Sequence, residues 1–291
     1  MLNSIENVLR AAAHLLAEHE SPSPRIDASV LLCHVLDKPS SYLYTWSDKL
    51  LSDEELAAFN GLIARRTLGE PVAYIIGYRD FWSLRLNVEP STLIPRPDTE
   101  RLVELALERL PKGEGSVLDL GTGTGAIALS IASERHDLEV TGVDLRPEAV
   151  ALAQRNQQEN GISNALFLQS SWFDAVPEHA FTMIVSNPPY IDPEDPHLAQ
   201  GDVRFEPKTA LIADDHGLAD IRHICQHSPR YLAQGGWLMI EHGYDQGHAV
   251  RALFLGVGFC DVETVQDYAG LDRVTLGRIA QSALTAEAAL T

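Results

Sequence analysis

Three glycines alternate where an apolar segment of the chain meets a helical pattern. The segment Val117–Leu120 leads directly into the candidate cofactor-binding residues Gly121, Thr122, Gly123, Thr124 and Gly125. Glycine lets the backbone turn sharply and approach a ligand closely. Asp144 ends the next apolar stretch, and a carboxylate there can accept hydrogen bonds from both hydroxyls of a ribose. These residues predict a site for a cofactor that contains adenosine.

The glycine spacing does not identify that cofactor. Gly121, Gly123 and Ala126 also fit the G-x-G-x-x-A pattern of nicotinamide dinucleotide sites. A glycine-rich turn without any ligand is a further alternative for this pattern alone.

A second group of candidate residues follows the apolar stretch Phe181–Ser186, in the order Asn187, Pro188, Pro189 and Tyr190. The side-chain oxygen of Asn187 and the backbone carbonyl of Pro188 can accept both N–H bonds of a substrate NH2 group, and thereby direct its nitrogen at an electrophile. Tyr190 offers a flat face for a planar amide or base. We expect Asn187, Pro188 and Tyr190 to be catalytic and all four residues to bind the substrate, with Asn187 also at the cofactor, although a Pro-Pro turn is also compatible with the sequence.

The elements that position these residues alternate as strand, loop and helix. Strands are predicted at 116–120, 139–144, 165–169, 181–186 and 237–241, with two more at 261–266 and 273–277, and helices at 126–133 and 147–160. This alternation is typical of a doubly wound α/β fold with a mostly parallel sheet. Ligands bind at the carboxyl ends of such strands, so both groups of candidate residues face one crevice.

The remaining chain divides into three parts. Residues 1–72 carry apolar residues at helical spacing and are predicted to form a small helical bundle, in which Ser52 and Glu55 make a capping box. Residues 73–94 read as a linker with a β-hairpin whose return strand is Thr92–Ile94. The α/β domain then covers 95–280, its first helix capped by Asp98, and 281–291 form a tail.

The charge and the cysteine content limit the binding partners and the cellular compartment that we expect for this protein. The 291 residues include 22 Lys and Arg against 41 Asp and Glu, for a net charge of −19. Such a chain repels polyanions, so we expect no direct nucleic-acid or membrane binding. The three cysteines are widely spaced, and the sequence has no signal-peptide pattern and no long apolar run. These features favour a cytoplasmic protein. We also expect a monomer.

The combination of motifs resembles the PrmC/HemK family of class I S-adenosylmethionine-dependent methyltransferases. The resemblance rests on GYRDFWSLRLNVEPSTLIPRPDTE (77–100), VLDLGTGTGAIALSIASE (117–134), SNPPYID (186–192) and GDVRFEPKTAL (201–211), and extends over nearly the whole chain. It implies a seven-stranded Rossmann-like domain that methylates the glutamine amide nitrogen (N5) in the GGQ motif of class 1 peptide chain release factors. The family thereby modulates translation termination.

The resemblance also implies roles for single residues. Residues 121–125 would surround the methionine part of S-adenosyl-L-methionine, whose product is S-adenosyl-L-homocysteine. Asp144 would hold the ribose, Trp172 would lie beside the adenine, and Asn187 would orient the glutamine amide. The family often has an acidic residue where Ser171 stands, so adenine binding here lacks that charge. The helical bundle is expected to bind the release factor.

Several other residues are weaker candidates for a functional role. Arg96, Arg204 and Glu206 have no assigned role, Phe81 and Trp82 are expected in an interdomain core, and His223, Cys225 and His227 are not expected to bind a metal.

One rival function is adenine-N6 methylation of DNA or RNA, since NPPY is shared with such enzymes. A second is a cofactor-binding scaffold without catalysis.

Overall fold

The computed structural model describes residues 3–178 and 180–280; the expected tail 281–291 lies outside the described residues. The chain divides into two compact units. One comprises the chain up to Tyr78 together with Pro196–Glu206, and the other comprises Arg79–Asp195 and the chain from Pro207 onward. Residues 196–206, which sequence analysis places within the 95–280 domain, thus belong to the unit that contains the helices of the first 72 residues.

The first unit confirms the predicted helical bundle. Its helices are α1 (Ile5–Glu18), α2 (Pro24–Leu36), α3 (Ser40–Thr45), α4 (Asp53–Thr67) and α5 (Val72–Ile76). The predicted capping box is present, because the Glu55 N–H donates to Ser52 Oγ and the Ser52 N–H donates to Glu55 Oε2. Apolar side chains from all five helices form one core.

A buried guanidinium holds Pro196–Glu206 to these helices. Arg66 on α4 is 5% exposed and donates from Nε to Asp27 Oδ2 at 2.7 Å and from Nη1 to Asp202 Oδ1 at 2.8 Å. The same Nη1 donates to the carbonyl oxygens of Gly69 and Glu70. Asp27 is equally buried, so each charge depends on the other for compensation.

The predicted hairpin exists, but with different strands. β1 (Tyr78–Phe81) pairs with β2 (Leu84–Asn87) across a two-residue turn in which Trp82 has φ of +56°. The predicted return strand Thr92–Ile94 is wrong: the Thr92 N–H closes a turn onto the Glu89 oxygen, and the chain continues without strand pairing.

The second unit contains the predicted sheet. Its strands are β3 (Gly115–Leu120), β4 (Leu138–Asp144), β5 (Ala165–Gln169), β6 (Phe181–Ser186), β7 (Leu232–Glu241), β8 (Cys260–Gln266) and β9 (Asp272–Arg278). They lie in the order β5-β4-β3-β6-β7-β9-β8. The first five are parallel, and β9 runs antiparallel to both β7 and β8. The strand order reverses between β3 and β6, which is where such sheets bind ligands.

Helices cover both faces of this sheet. They are α6 (Glu100–Arg109), α7 (Ala126–Glu134), α8 (Pro147–Glu159), the short α9 (Asp214–Gly217), α10 (Ala219–His227) and α11 (Gly247–Val257). Val117, Met183 and Met239 belong to the core under α6–α8, whereas Leu118, Ile184 and Leu238 belong to the core under α10 and α11. The alternation along each strand follows from the two-residue period of a strand.

The predicted cap of α6 is wrong. Pro97 begins a 3-10 turn, Pro97–Thr99, so Asp98 lies within that turn and Thr99 occupies the N-cap position. The Thr99 side chain is buried and makes no capping hydrogen bond. Within residues 3–178 and 180–280, none of the helices has the length and apolar character needed to cross a membrane.

The Arg66 network predicts a stability difference between two neighbouring arginines. Arg66→Met should lower the free energy of unfolding of the helical unit by about 3–5 kcal/mol, because it leaves Asp27 buried without its partner. Arg65→Met is the control, since Arg65 pairs with Glu70 at the surface and should cost about 1 kcal/mol or less. Urea unfolding followed by circular dichroism measures both, and equal losses would contradict the role of Arg66.

Candidate active site

The glycine loop begins where β3 ends. Gly121, Gly123 and Gly125 have φ of +72°, +54° and +83°, a region in which a side chain is strained. The N–H groups of Gly121 and Thr122 both donate to the Val143 oxygen at 2.9 Å, which fixes the loop to β4. The loop conformation is therefore set by backbone bonds to its neighbouring strand.

Gly125 contributes differently from the other two glycines. It is the N-cap of α7, and a Cβ built on it would lie 3.2 Å from both Ala153 Cβ and Phe167 Cζ. Its small size is therefore required by packing within the unit. Gly121, in contrast, lies under the ring of Trp172, whose Cζ3 would be 3.6 Å from an added Cβ.

Asp144 is held at the end of β4 by two backbone donors. Its Oδ2 accepts from the Gly123 N–H and its Oδ1 from the Arg146 N–H, both at 3.0 Å. Burial raises the pKa of Asp144, and these donors act in the opposite direction. Each carboxylate oxygen keeps a further lone pair for a ligand hydroxyl.

Asp119, which sequence analysis did not select, lies fully buried beneath the loop. Its Oδ2 accepts from the Thr122 hydroxyl at 2.6 Å and from the Ala128 N–H at 3.3 Å, whereas Oδ1 has no hydrogen-bond partner among the described residues. Burial raises the pKa of Asp119 to about 7. A charged residue inside the otherwise apolar segment Val117–Leu120 is a signal that could have identified it.

The Asn187 side chain projects from the end of β6. The Ser186 hydroxyl donates to the Leu120 oxygen at 2.7 Å, which joins the ends of β6 and β3. Asn187 is half-buried, and its Nδ2 donates to Thr99 Oγ1 at 3.2 Å. This bond leaves the amide oxygen Oδ1 as the acceptor available to a ligand.

Both groups of predicted residues contribute to one cavity of about 360 Å³, within the usual size range of small-molecule sites. The predicted residues that line it are Gly121, Thr122, Gly123, Thr124, Asp144, Ser171, Trp172, Asn187 and Pro189. Gly125, Pro188 and Tyr190 are not among its lining residues. Pro188 is buried, and Tyr190 packs against the core under α10 and α11.

Trp172 connects the cavity to a second residue that sequence analysis missed. Its backbone is left-handed, with φ of +47°, and its indole lies near Asp220 at the start of α10. Asp220 also lines the cavity, and burial raises its pKa. No sequence motif connects Asp220 to the loop, because only the fold brings α10 next to Trp172.

A buried polar cluster lies behind Asn187. Glu241, at the end of β7, is 1% exposed and lies near the side chains of Thr99 and Tyr190. Burial raises the pKa of Glu241 to about 7, although the nearby Arg273 opposes this shift. A carboxylate at the end of a parallel strand is the signal that identified Asp144, and it applies equally to Glu241.

The weaker candidates fall in different places. Arg96 lines the cavity. Phe81 and Trp82 belong to the apolar core of the second unit. Arg204 and Glu206 belong to the first unit, where the Arg204 guanidinium lies against Gly69.

The two histidines of the weak metal candidate stack on each other. The rings of His223 and His227 lie 4.2 Å apart, and burial together with the neighbouring ring lowers the pKa of His223. Cys225 is fully buried on the same helix. Among the described residues, no group of three His, Cys, Asp or Glu is arranged to hold a metal ion.

Comparison with protein families matches both parts of the chain. Residues 7–77 match the PrmC N-terminal domain, and residues 100–202 match the methyltransferase small domain. The release factor glutamine methyltransferase of Aliivibrio fischeri is 59% identical over 94% of this chain and 97% of its own length. That of Escherichia coli is 56% identical over 90% of this chain and 94% of its own length.

Solved structures share the fold. A methyltransferase from Pyrococcus furiosus superposes with a TM-score of 0.53 over 75% of this chain and 98% of its own, at 19% sequence identity. At that identity the similarity establishes a methyltransferase-like fold, which agrees with the sheet described above.

The buried Asp119 predicts a pH-dependent stability. Its pKa is about 7 in the folded chain against 3.8 for an exposed carboxyl, so its contribution to stability is complete below pH 4 and is lost as the pH rises through 7. Asp119→Asn removes this loss. We therefore compare the free energy of unfolding of the variant with that of the wild type. The variant's advantage should increase by a few kcal/mol from pH 4 to pH 8, since one pKa unit corresponds to about 1.4 kcal/mol.

Asp137→Asn is the matched control for this experiment. Its carboxylate pairs with Arg135 at the surface, which lowers the pKa of Asp137 to about 2. The stabilisation by Asp137 is nearly complete at pH 4 and is lost only as the pH falls through 2, so the difference for this variant should stay almost constant from pH 4 to pH 8. Urea unfolding at each pH measures both. A difference for Asp119→Asn that does not change with pH would contradict the assignment.

Proposed function

The chain belongs to the release factor glutamine methyltransferase family, and from this premise we propose its reaction in detail. It transfers a methyl group from S-adenosyl-L-methionine to the side-chain nitrogen N5 of the glutamine in the GGQ motif of class 1 peptide chain release factors. The product modulates translation termination. The observation that carries the proposal is the position of Asn187 in the same cavity as the glycine loop and Asp144.

The chemistry explains why an acceptor is needed there. The lone pair of an amide nitrogen is delocalised, which makes it a poor nucleophile. Asn187 Oδ1 and the carbonyl oxygen of Pro188 would accept the two N–H bonds of the substrate amide and fix the direction of its nitrogen. Pro189 lines the cavity and would frame the amide, whereas Tyr190 packs against the core under α10 and α11. The methylated nitrogen is strongly acidic, so proton loss follows the transfer.

The residues that line the cavity fit an adenosine-containing sulfonium. The backbone of Gly121 and Gly123 leaves room for close approach, Asp144 presents two oriented oxygens to a ribose, and Trp172 offers an aromatic face to the adenine. When bound, S-adenosyl-L-methionine supplies the electrophilic methyl group and becomes S-adenosyl-L-homocysteine. Ser171 lacks the charge that relatives often have there, and Asp220 provides a carboxylate in the same cavity.

The first unit is proposed to hold the release factor outside its GGQ loop. Two aromatic side chains at the end of α3 are exposed, Tyr44 at 82% and Trp46 at 52%, the latter with its ring 6.4 Å from that of Tyr42. Exposed aromatic residues are typical anchors of protein interfaces. We further propose that the protein is a monomer that acts in the cytoplasm and binds no nucleic acid or membrane directly.

The reaction predicts that Asn187→Ala lowers kcat by about 10²–10³, by analogy with the loss of one positioned oxyanion-hole donor. The assay follows radiolabel from S-adenosylmethionine into a purified class 1 release factor. Asn60→Ala, at an exposed position on α4, is the control and should retain wild-type turnover. Near-normal turnover of Asn187→Ala would contradict the role of Asn187.

The same assay separates the proposed substrate from its rivals. A release factor whose GGQ glutamine is replaced by alanine should take up no label, and neither should duplex DNA. Label on DNA alone would replace the substrate assignment with base methylation. Cofactor binding without label on any acceptor would favour a scaffold.

Binding by the first unit predicts a difference between two substrates. The double variant Tyr44→Ser, Trp46→Ser should raise the KM for an intact release factor by about tenfold or more, since interface aromatic anchors contribute about 1–2 kcal/mol or more each. The KM for a short GGQ peptide should stay unchanged. Point substitutions are preferable to deletion of residues 1–72, because deletion also removes Arg66 from Asp202. Equal changes for both substrates would exclude this binding role.

A further inference from the structure

We propose that Asn156 on α8 is a positioning residue for cofactor binding, because its side chain holds two parts of the cavity wall together. One part is the glycine loop, and the other is the segment 91–96 that follows β2. The proposal rests on the cofactor and the reaction proposed above. Asn156 itself is not a lining residue of the cavity, so it acts through the backbone of its neighbours.

Asn156 is a polar residue on the buried face of α8. The buried residues of this helix are Ala149, Val150, Leu152, Ala153 and Asn156, a spacing that places them on one face. Asn156 is 0% exposed. A polar side chain buried to this extent costs free energy unless its hydrogen-bonding groups are paired. Its partners therefore decide whether an amide is favourable at this position.

The Asn156 amide uses its full hydrogen-bonding capacity, which is two acceptor and two donor positions. Its Oδ1 accepts from the Asn87 backbone N–H at 2.7 Å and from Asn87 Nδ2 at 3.1 Å. Its Nδ2 donates to the carbonyl oxygen of Asn87 at 3.1 Å and to that of Thr124 at 2.9 Å. Asn156 therefore binds the last residue of β2 through both backbone groups of that residue, and binds the glycine loop as well.

The bond to Thr124 connects the glycine loop to a different element from the other bonds of the loop. The N–H groups of residues 121–123 donate to the Val143 oxygen and to Asp144 Oδ2. These bonds hold the first part of the loop to β4. The bond from Asn156 holds the carbonyl group of Thr124, and the same amide group joins it to the end of β2.

The end of β2 leads through a turn into the segment 91–96. In this turn the Thr92 N–H donates to the Glu89 oxygen at 3.2 Å. Thr92 then lies next to the glycine loop, since a Cβ built on Gly123 would be 3.9 Å from Thr92 Cβ. Both Thr92 and Gly123 line the cavity. By binding the loop and the start of this turn, Asn156 limits how far the two parts of the wall can separate.

Loss of the amide would leave the Asn87 N–H and the carbonyl oxygens of Asn87 and Thr124 without this partner. Buried backbone groups need hydrogen-bond partners, and water could supply them only if β2 and the loop moved apart. The cofactor would then have to order both parts of the wall as it binds, whereas a wall that is already ordered avoids this cost. Asn156 thus acts on cofactor affinity, while Asn187 acts on the transfer step.

Asn164 provides a matched control for a purely structural role. Its Nδ2 donates to the carbonyl oxygens of Ala132, Arg135 and Leu138 at 3.0 to 3.2 Å. Leu138 is the first residue of β4, so these bonds lie at the end of that strand opposite to Asp144. Asn164→Leu should therefore lower the free energy of unfolding and leave the affinity for the cofactor unchanged.

The experiment measures the Kd of S-adenosyl-L-homocysteine by isothermal titration calorimetry, with circular dichroism to establish that each variant is folded. Asn156→Leu removes all four hydrogen bonds at similar volume and should raise the Kd by about tenfold or more, which corresponds to about 1.4 kcal/mol or more. Asn156→Asp keeps the shape and one acceptor but sets an oxygen against two carbonyl oxygens, and should raise the Kd as well. Asn164→Leu should keep the wild-type Kd.

Turnover on a release factor separates affinity from the transfer step. In Asn156→Leu the KM for S-adenosylmethionine should rise by about tenfold, whereas kcat at saturating cofactor should change by less than about threefold, since a loss of uniform binding leaves kcat unchanged. A kcat that falls as far as the KM rises would contradict a role in cofactor binding alone.

Hydrogen exchange measured by NMR tests the arrangement in the wild type without any cofactor. The Asn87 N–H should exchange slowly in the wild type and faster in Asn156→Leu. Rapid exchange of this group in the wild type would overturn the proposal, and so would equal Kd values for wild type and folded Asn156→Leu. A Kd that rises in Asn156→Leu but not in Asn164→Leu, in a protein that places no label on release factors, would contradict the proposed reaction and support the role of Asn156.

Discussion

The register between β3 and β6 is the constraint on which the site depends. Leu120 and Ser186 are partners in that register, and the Ser186 hydroxyl bonds the Leu120 oxygen. Because both strands end at this row, the glycine loop and Asn187 leave the sheet side by side. A shift of the strand register by one residue would move every side chain of that strand to the opposite face of the sheet. Met183 would then lie in the core where Ile184 now packs. The two apolar cores that fix the register therefore also fix the distance between the glycine loop and Asn187.

Two buried acids, each near a threonine, connect the sheet to the loops that line the cavity. Asp119 accepts a hydrogen bond from Thr122 in the glycine loop, and Glu241 lies near Thr99 before α6. Each acid is buried at or near the carboxyl end of a strand, and each has one oxygen without a hydrogen-bond partner among the described residues. Burying such groups costs free energy, and a threonine hydroxyl compensates part of that cost only when its loop holds one position. The desolvated acids thus order the loops that line the cavity.

The sequence predicts the elements that carry a strong periodic pattern and misses those set by contacts between distant residues. β5 and β6 begin and end as predicted, because apolar runs bounded by turn residues are local signals. The strand expected at Thr92–Ile94 is absent, since β2 already pairs with β1. Thr99, Asp220 and Glu241 were missed because their roles depend on neighbours that only the fold supplies. Sequence analysis misplaced residues 196–206 for the same reason, because Asp202 binds Arg66, a residue distant from it in the sequence.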